Sequence, residues 1–268
     1  MPELPDVEGF RRVAERARGR RIDVVRVLDA SVLRNTTAAG LRRALEGHTV
    51  AGARRHGKWL LIPAGGDHRP TLLLHFGMTG ELHWVAAEDR PPPHPHDRLH
   101  LVTDGGELRY RDQRKLQGIW LAGDREQVAQ VIGPEGPDAL GLRAADLERA
   151  LQVRRGGLKA ALMDQNVVAG LGNLLTDEIL WQARLDPRGR ADQLDRSSLS
   201  ALHRTLGRVL RTSVPARRVP ARKGWLTAVR DEKDAACPRC GRPLRRERIG
   251  GRRTVWCPSC QEPDAGPS

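Results

Sequence analysis

The sequence predicts an α+β multidomain protein: a β-rich first half, a helical second half and a short C-terminal hairpin carrying all the cysteines. Three observations carry this. Up to about residue 130, short β-branched and apolar runs alternate with Gly, Pro and Asp clusters, the punctuation of an antiparallel sandwich or barrel. After Gly133-Pro134-Glu135-Gly136-Pro137, apolar residues recur at i, i+3 and i+4. The four cysteines form two CxxC pairs between Cys237 and Cys260. A chain of 268 residues is long enough for two or more domains.

The chain opens Met1-Pro2-Glu3-Leu4-Pro5-Asp6-Val7-Glu8, and Val7, Phe10, Val13, Ala14 and Ala17 suggest a first helix. Strands are expected at Ile22 to Leu28, His48 to Arg54, Lys58 to Ile62, Thr71 to Phe76, Glu81 to Val85, Arg98 to Thr103, Glu107 to Arg111 and Gly118 to Leu121. A short helix near Ala38 to Glu46 interrupts them, Pro63 to Asp67 reads as a turn, and the four-proline segment Glu88 to Asp97 reads as a mobile surface loop. Helices are expected over Ala144 to Val153, Gly157 to Asp164, Asn173 to Ala183 and Ser197 to Val214, the last capped by Asp195 or Ser197. Ser213 to Asp234, poor in apolar residues and rich in Arg, Lys and Pro, reads as a basic connector. The expected division is 1–130, a linker 131–143, a helical domain with connector 144–234, a metal hairpin 235–262 and a tail 263–268.

The 46 basic residues outnumber the 33 acidic ones, giving a net charge of +13. Such an excess implies a polyanionic partner, because each neutralised phosphate releases condensed counterions. No run of about 18 apolar residues exists, so no membrane span is expected. The N-terminus has no apolar signal core either, so the cytoplasm is the expected compartment.

Cys237-Pro238-Arg239-Cys240 and Cys257-Pro258-Ser259-Cys260 are separated by sixteen residues. Four thiolates on two knuckles can surround one Zn²⁺ tetrahedrally and leave no open position, so the metal should be structural. Arg242, Arg245, Arg246, Arg248, Arg252 and Arg253 on the intervening hairpin suit a phosphate backbone.

At the other end, trimming of Met1 would leave Pro2 with a secondary α-amine. Such a group titrates near ~7.7 to 8.0, so a useful fraction is nucleophilic at cellular pH. Glu3 tethers an acid beside it, and together they are equipped to attack an electrophilic carbon. The alternative for this octapeptide is a proline-rich helix lead-in.

Five separated motifs in order resemble the formamidopyrimidine-DNA glycosylase and endonuclease VIII family of base-excision repair enzymes. Pro2 to Glu8 is close to PELPEVE, with Asp6 for Glu. Gly57-Lys58-Trp59-Leu60-Leu61 is similar to a K-Y-L-L strand, and His75-Phe76-Gly77-Met78-Thr79-Gly80 to HLGMSG. Asp164-Gln165 followed by Val168 to Leu180, which contains Gly170-Leu171-Gly172-Asn173, resembles the helix-two-turn-helix motif; the zinc hairpin is the fifth.

The resemblance implies an N-terminal β-sandwich flanked by helices, a helix-two-turn-helix domain and a zinc-ribbon hairpin. It implies a monomeric, bacterial, nucleoid-associated enzyme acting on double-stranded DNA with damaged, in particular oxidised, bases or abasic sites. Base release would use a Schiff base on Pro2 with Glu3 as general acid and Lys58 at the phosphate beside the lesion. Asp6 would help orient the amine, and Glu8 would cap the helix. DNA contacts are implied for His75, Met78, Arg114, Lys115, Leu116, Lys159, Asn173 and Arg252. Met78 and Arg114 would fill the hole left by a flipped base, and the start of the helix at Asn173 would hold a phosphate on free backbone N–H groups.

Two features depart from the family. Asp112-Gln113-Arg114-Lys115-Leu116-Gln117-Gly118 has Leu116 where an intercalating Phe is found, and the connector before Cys237 is short. An alternative is therefore a non-catalytic or specialised member that binds distorted or bulky-adduct DNA.

Overall fold

The computed structural model describes residues 1–65, 70–89 and 91–261. These fall into two compact units, Met1–Pro2 with Asp6–Pro134, and Glu3–Pro5 with the chain from Glu135 onward. Gly66 and Asp67 of the expected turn, Arg90 of the expected loop, residue 262 and the tail 263–268 lie outside the described residues.

The first unit is built on two four-stranded antiparallel sheets. The strands are β1 (Ile22–Val27), β2 (Arg54–His56), β3 (Trp59–Pro63), β4 (Thr71–His75), β5 (Glu81–Ala86), β6 (Asp97–Thr103), β7 (Gly106–Arg111) and β8 (Gly118–Ala122). Their orders are β1-β6-β7-β5 and β2-β3-β4-β8. Val25, Leu99, Leu101, Leu108 and Tyr110 of one sheet and Leu60, Ile62, Leu72, Leu74 and Ile119 of the other share one buried core with Val7 and Ala14 of helix α1 (Leu4–Ala14) and Leu41 and Leu45 of α2 (Ala38–Leu45). The expected sandwich with flanking helices is therefore the observed arrangement.

Three local expectations fail. His48 to Arg54 forms only isolated bridges at Thr49 and Val50, because Gly52 has φ +141°, which no regular strand permits. The strand starts at Arg54 instead. Helix α3 (Arg125–Ile132), capped by the Asp124 carboxylate, was not anticipated; Val128, Val131 and Ile132 cover Leu73 and Trp59 on the outer face of the second sheet. This explains why β4 is apolar on both faces. The proline segment before β6 is held by the buried Arg109, whose guanidinium donates to the carbonyls of Pro91 and Pro92 at 2.8 and 3.3 Å.

The second unit contains α4 (Ala144–Gln152), α5 (Leu158–Met163), α6 (Asn173–Ala183), α7 (Arg196–Ala216), α8 (Leu226–Val229) and the hairpin β9 (Arg245–Ile249) with β10 (Arg252–Trp256). Asp195 caps α7 by accepting from the Ser198 amide at 2.6 Å. Gly250 and Gly251, both at positive φ, make the two-residue turn that joins β9 to β10. The expected linker is not loose: Ala139 and Leu142 are buried in the helical core. Nor is the basic connector, since Leu226 is fully buried beside Val255, Cys237 and Cys257. Among the described residues, no helix is long and apolar enough to cross a membrane.

Candidate active site and zinc centre

Glu3 and α6 form the tightest arrangement among the candidate catalytic groups. Glu3 is 2 % exposed. One carboxylate oxygen accepts the Leu174 amide at 2.8 Å, and the other accepts the Leu175 amide at 3.0 Å. These N–H groups belong to the first turn of α6, where no carbonyl of the helix can reach them and the helix dipole is positive. Gly172 makes the approach possible, since a Cβ there would lie 2.3 Å from the Glu3 carboxyl carbon. Leu4 completes the clamp by donating its amide to Gly170 O at 3.1 Å.

Glu3 thus takes two of the amides at the start of α6, the helix end at which the sequence led us to expect a DNA phosphate. The anion at the amides of Leu174 and Leu175 is internal. Asn173 likewise turns its amide inward and donates to Arg253 O at 2.9 Å.

Lys159 is a second correction. Expected on DNA, it is fully buried, with its ammonium 2.5 Å from Asp177 Oδ1 and 2.7 Å from Thr254 Oγ1. Burial pushes its pKa down, partly offset by the Asp177 charge. On its other oxygen Asp177 accepts from Arg230 at 2.8 Å and from the Val255 amide at 3.3 Å. One carboxylate thus joins α5, α6, the end of the connector and β10. The sequence signal was a charged pair, Asp177-Glu178, within an otherwise apolar helix. Glu178 is also fully buried; it accepts the Thr227 amide at 2.9 Å and so caps the four-residue α8, which has no side-chain cap of its own.

In the first unit Lys58 lies in the two-residue turn Gly57-Lys58 between β2 and β3, not within a strand as expected. Gly57 has φ +53°, a requirement of that turn. Glu8 sits inside α1 and is not a cap; it pairs with Arg11 at 2.8 Å and Arg55 at 3.3 Å and is 8 % exposed. Asp6 lies in the first turn of α1, and Pro2 is half-buried.

His75 ends β4 edge-on to Trp59, with ring centroids 5.0 Å apart. Burial, reinforced by the Lys58 charge, lowers its pKa from 6.5 to about 4. It is therefore neutral near pH 7, and Nδ1 accepts the Gly77 amide at 3.2 Å. Because the folded-state pKa is depressed, the unfolded chain binds the extra proton as pH falls from 6.5 to 4, and stability drops across that window by about 3 kcal/mol. Thermal melts of the protein and His75→Gln between these limits should show a steeper acid loss for the unsubstituted chain; parallel curves would contradict the burial argument.

The wedge candidates share one loop system. Met78 is 42 % exposed and Leu116 52 %, unusual for residues of this type. Arg114 donates to Met78 Sδ at 3.0 Å. Buried Asp112 holds the loop by accepting from Thr79 Oγ1 at 2.6 Å and from the Arg114 amide at 3.1 Å. Lys115 takes a left-handed φ of +52° and reaches Asp29 at 3.1 Å, while Arg34 donates to Lys115 O at 2.8 Å. Asp112 opens the motif quoted above but had no role assigned to it, whereas Arg34 was not singled out by sequence and carries no local signal, because it is 81 residues from its acceptor.

Cys237, Cys240, Cys257 and Cys260 have all their sulfurs within 4.8 Å of one another. The Cys237 and Cys260 sulfurs are 4.0 Å apart, and those of Cys240 and Cys257 are 3.6 Å apart. Tetrahedral Zn–S bonds of about 2.3 Å require sulfurs about 3.8 Å apart, so the donor set fits one structural zinc. Trp181 donates to Cys237 Sγ at 3.4 Å, and Gln261 ties the finger to the helical body by accepting the Cys257 amide and donating to Leu185 O, both at 2.9 Å. Such outer contacts orient the thiolates. Arg252 is exposed on β10, whereas Arg246 is turned onto the carbonyls of Arg230 and Glu232.

Three family models match the chain in order. They are the formamidopyrimidine-DNA glycosylase N-terminal domain over residues 1–119, the H2TH domain of the same family over 132–221 and a zinc finger found in that family and in isoleucyl-tRNA synthetase over 236–263. Formamidopyrimidine-DNA glycosylases of Symbiobacterium thermophilum and Laribacter hongkongensis are each 36 % identical, over 97 % of this chain and 89 % and 100 % of theirs. A Lactococcus lactis formamidopyrimidine-DNA glycosylase, solved with DNA containing an N7-benzyl-formamidopyrimidine lesion, superimposes with a TM-score of 0.84 at 28 % identity, covering 97 % of this chain and all of its own. The same enzyme has been solved with DNA containing an abasic site. The chain belongs to the formamidopyrimidine-DNA glycosylase family.

Proposed function

We propose that this protein releases damaged bases from double-stranded DNA and then nicks the abasic strand, with Pro2 as nucleophile and Glu3 as its acid partner. It is a DNA glycosylase with abasic-site lyase activity that carries one structural zinc. The observation that best supports the roles of Pro2 and Glu3 is the clamping of the Glu3 carboxylate on two amides of α6, one residue from Pro2. A buried acid held from both oxygens has little freedom, so the peptide bond before it is fixed in place as well.

After removal of Met1, the Pro2 nitrogen lone pair attacks C1′ of the flipped nucleotide. The glycosidic bond breaks, the base departs with the electron pair of that bond and takes a proton from water, and the proton shed by the Pro2 nitrogen passes to the Glu3 carboxylate. Ring opening needs a proton on O4′, and Glu3 delivers the one it received from the Pro2 nitrogen. The resulting iminium carries no N–H and cannot collapse to a neutral imine. It persists as an electron sink, so loss of a C2′ proton expels the 3′ phosphate, and a second elimination expels the 5′ phosphate.

Lys58 supplies a charge to the phosphate beside the lesion. Met78, Arg114 and Leu116 enter the vacated stack, Lys115 and Asp29 brace that loop, and Arg252 meets the backbone. The exposure of Met78 and Leu116 supports the wedge. A cytoplasmic, nucleoid-associated location follows from the substrate.

Borohydride reduction during reaction with lesion-bearing DNA should trap a covalent adduct on Pro2. Pro2→Gly combined with Glu3→Gln should lower trapping and strand scission by at least about 10³-fold, the scale of losing a nucleophile and its acid. An N-terminal tag that buries Pro2 should abolish scission while DNA affinity stays nearly unchanged. Undiminished trapping in the double variant would sink the mechanism.

A further inference from the structure

A trough runs along α7 in the second unit, at the end of α6 remote from Glu3. It has a volume of about 540 Å³, and Arg184, Arg204, Arg208 and Arg211 stand along it with Ala183 and Gly207 on its floor. A second depression, of about 350 Å³, continues it through Gln182 and Arg208 to Trp225 and Arg239. The 11-residue α6 spans about 16 Å, so the trough is well separated from the amides that hold Glu3.

The charge along the trough is of one sign. Among the described residues, Arg184, Arg204, Arg208, Arg211 and Arg239 form no ion pair, and neither depression is lined by an acidic residue. Their hydrogen bonds are to neutral groups: Arg204 to Ser200 Oγ, Arg208 to Gln182 Oε1 and Arg239 to Gln182 O. Arg143 and Arg149, by contrast, share Asp146, and Arg190 pairs with Asp192. Five unmatched guanidinium groups beside a concave surface repel one another unless an anion lies between them.

Gly207 is the second observation. Glycine inside a helix costs about 1 kcal/mol relative to alanine, and packing does not demand it at this position. A Cβ would meet only the flexible tip of Arg211, at 3.3 Å. Its effect is to leave the α7 backbone bare at the floor of the trough, as at sites where a ligand approaches the main chain closely.

From these features we infer that the trough binds a single-stranded nucleic acid, independently of the duplex on which the enzyme acts. Arg204, Arg208 and Arg211 lie on one face of α7 within about 10 Å, a length that two to three phosphates of an extended strand cover. Trp225, half-buried at the far end, offers a ring edge and face to a base, and Arg239 is already stacked on Trp181 at 4.3 Å. Arginine planes and an aromatic ring along a basic groove are the combination that holds single strands without reading sequence. An acidic peptide would share the charge, but it would leave the Trp225 end without a planar partner.

The test uses the full-length zinc-loaded protein with a fluorescent oligothymidylate of about eight nucleotides, while saturating unlabelled duplex carrying a tetrahydrofuran abasic analogue occupies the catalytic site. Binding of the oligothymidylate should persist. The triple variant Arg204→Ser, Arg208→Ser, Arg211→Ser should weaken it at least about tenfold and reduce the slope of log affinity against log salt by about 2. Gly207→Leu, which fills the floor and keeps every arginine, should also weaken it. Strand scission of lesion duplex should be unchanged in both variants, showing that they fold. Displacement of the oligothymidylate by the duplex, or undiminished binding in either variant, overturns the inference. So does an oligoglutamate that displaces the oligothymidylate at lower concentration, which would assign the trough to an acidic peptide.

Discussion

Replacing Asp177 with alanine should cost the second unit about 3–5 kcal/mol and lower its melting temperature by on the order of 10 °C. The carboxylate accepts from Lys159, Arg230 and the Val255 amide, and none of these groups reaches water: Lys159 and Asp177 have fully buried side chains, and that of Arg230 is only 6 % exposed. Removing the acceptor leaves two buried cations facing each other. The loss is therefore larger than the net value of the ion pairs, because most of it is the desolvation of charges left without a partner. The converse experiment separates these contributions. Asp177→Leu with Lys159→Met removes one acid and one base together and should recover a good part of the stability. Arg230, which also donates to Arg253 O, still has a partner there. If Asp177→Ala melts within a degree or two of the unsubstituted protein, the buried network does not hold the hairpin to the helices as described. Strand scission should fall along with stability, since β10 carries Arg252, which we propose meets the DNA backbone.

The second large effect concerns the zinc. Chelation at neutral pH should release one Zn²⁺ per chain and unravel the segment from Ala236 to Gln261, because structural zinc sites of four thiolates contribute on the order of 10 kcal/mol to the folding of such small units. Apart from the Asp177 network and Gln261, which tie it to the helices, this segment has few buried apolar residues, and Cys237 and Cys257 are among them. Trp181 donates to Cys237 Sγ, and the fully buried Trp256 directly precedes Cys257. Loss of the metal should thus shift tryptophan emission to the red, and added Zn²⁺ should restore it. Cys257→Ser should behave as the stripped protein does. Retained emission and retained DNA affinity after complete zinc removal would contradict a structural role.

Much of the architecture was legible because its causes are local. Short β-branched and apolar runs between glycine and proline clusters yielded seven of the eight strands of the sandwich, since runs of that length bounded by turn residues mark strands. The exception, β2, was misplaced because Val50 and Ala53 are buried like strand residues while Gly52 turns the chain between them. Helix α3 was missed because it covers a sheet that is already apolar on both faces, so its own stripe is short. The paired cysteines were the clearest signal, because tetrahedral thiolate coordination sets their spacing.

The candidate site divides along the same line. Pro2 and Glu3 are adjacent in sequence, and an amine beside an acid is a chemical statement that needs no fold. What Glu3 binds depends on Leu174 and Leu175, 171 and 172 residues away, and no periodicity links them. The same is true of Lys159, which reads as one more cation for DNA until Asp177 and Thr254 are brought against it, the latter from 95 residues away.

By itself, then, the sequence determined the order of the structural classes and the zinc ligands, and it put the proposed amine beside its acid, because each depends on residues close together in the chain. Tertiary structure alone decided which charges are spent inside and which stay on the surface: Glu3 on the α6 amides, Lys159 and Arg230 on Asp177, and the unmatched arginines of α7 along a trough. The physical reason is that a charged residue looks the same in sequence whether it is solvated or paired. Only the fold brings up the partner that makes its burial tolerable, or leaves it without one.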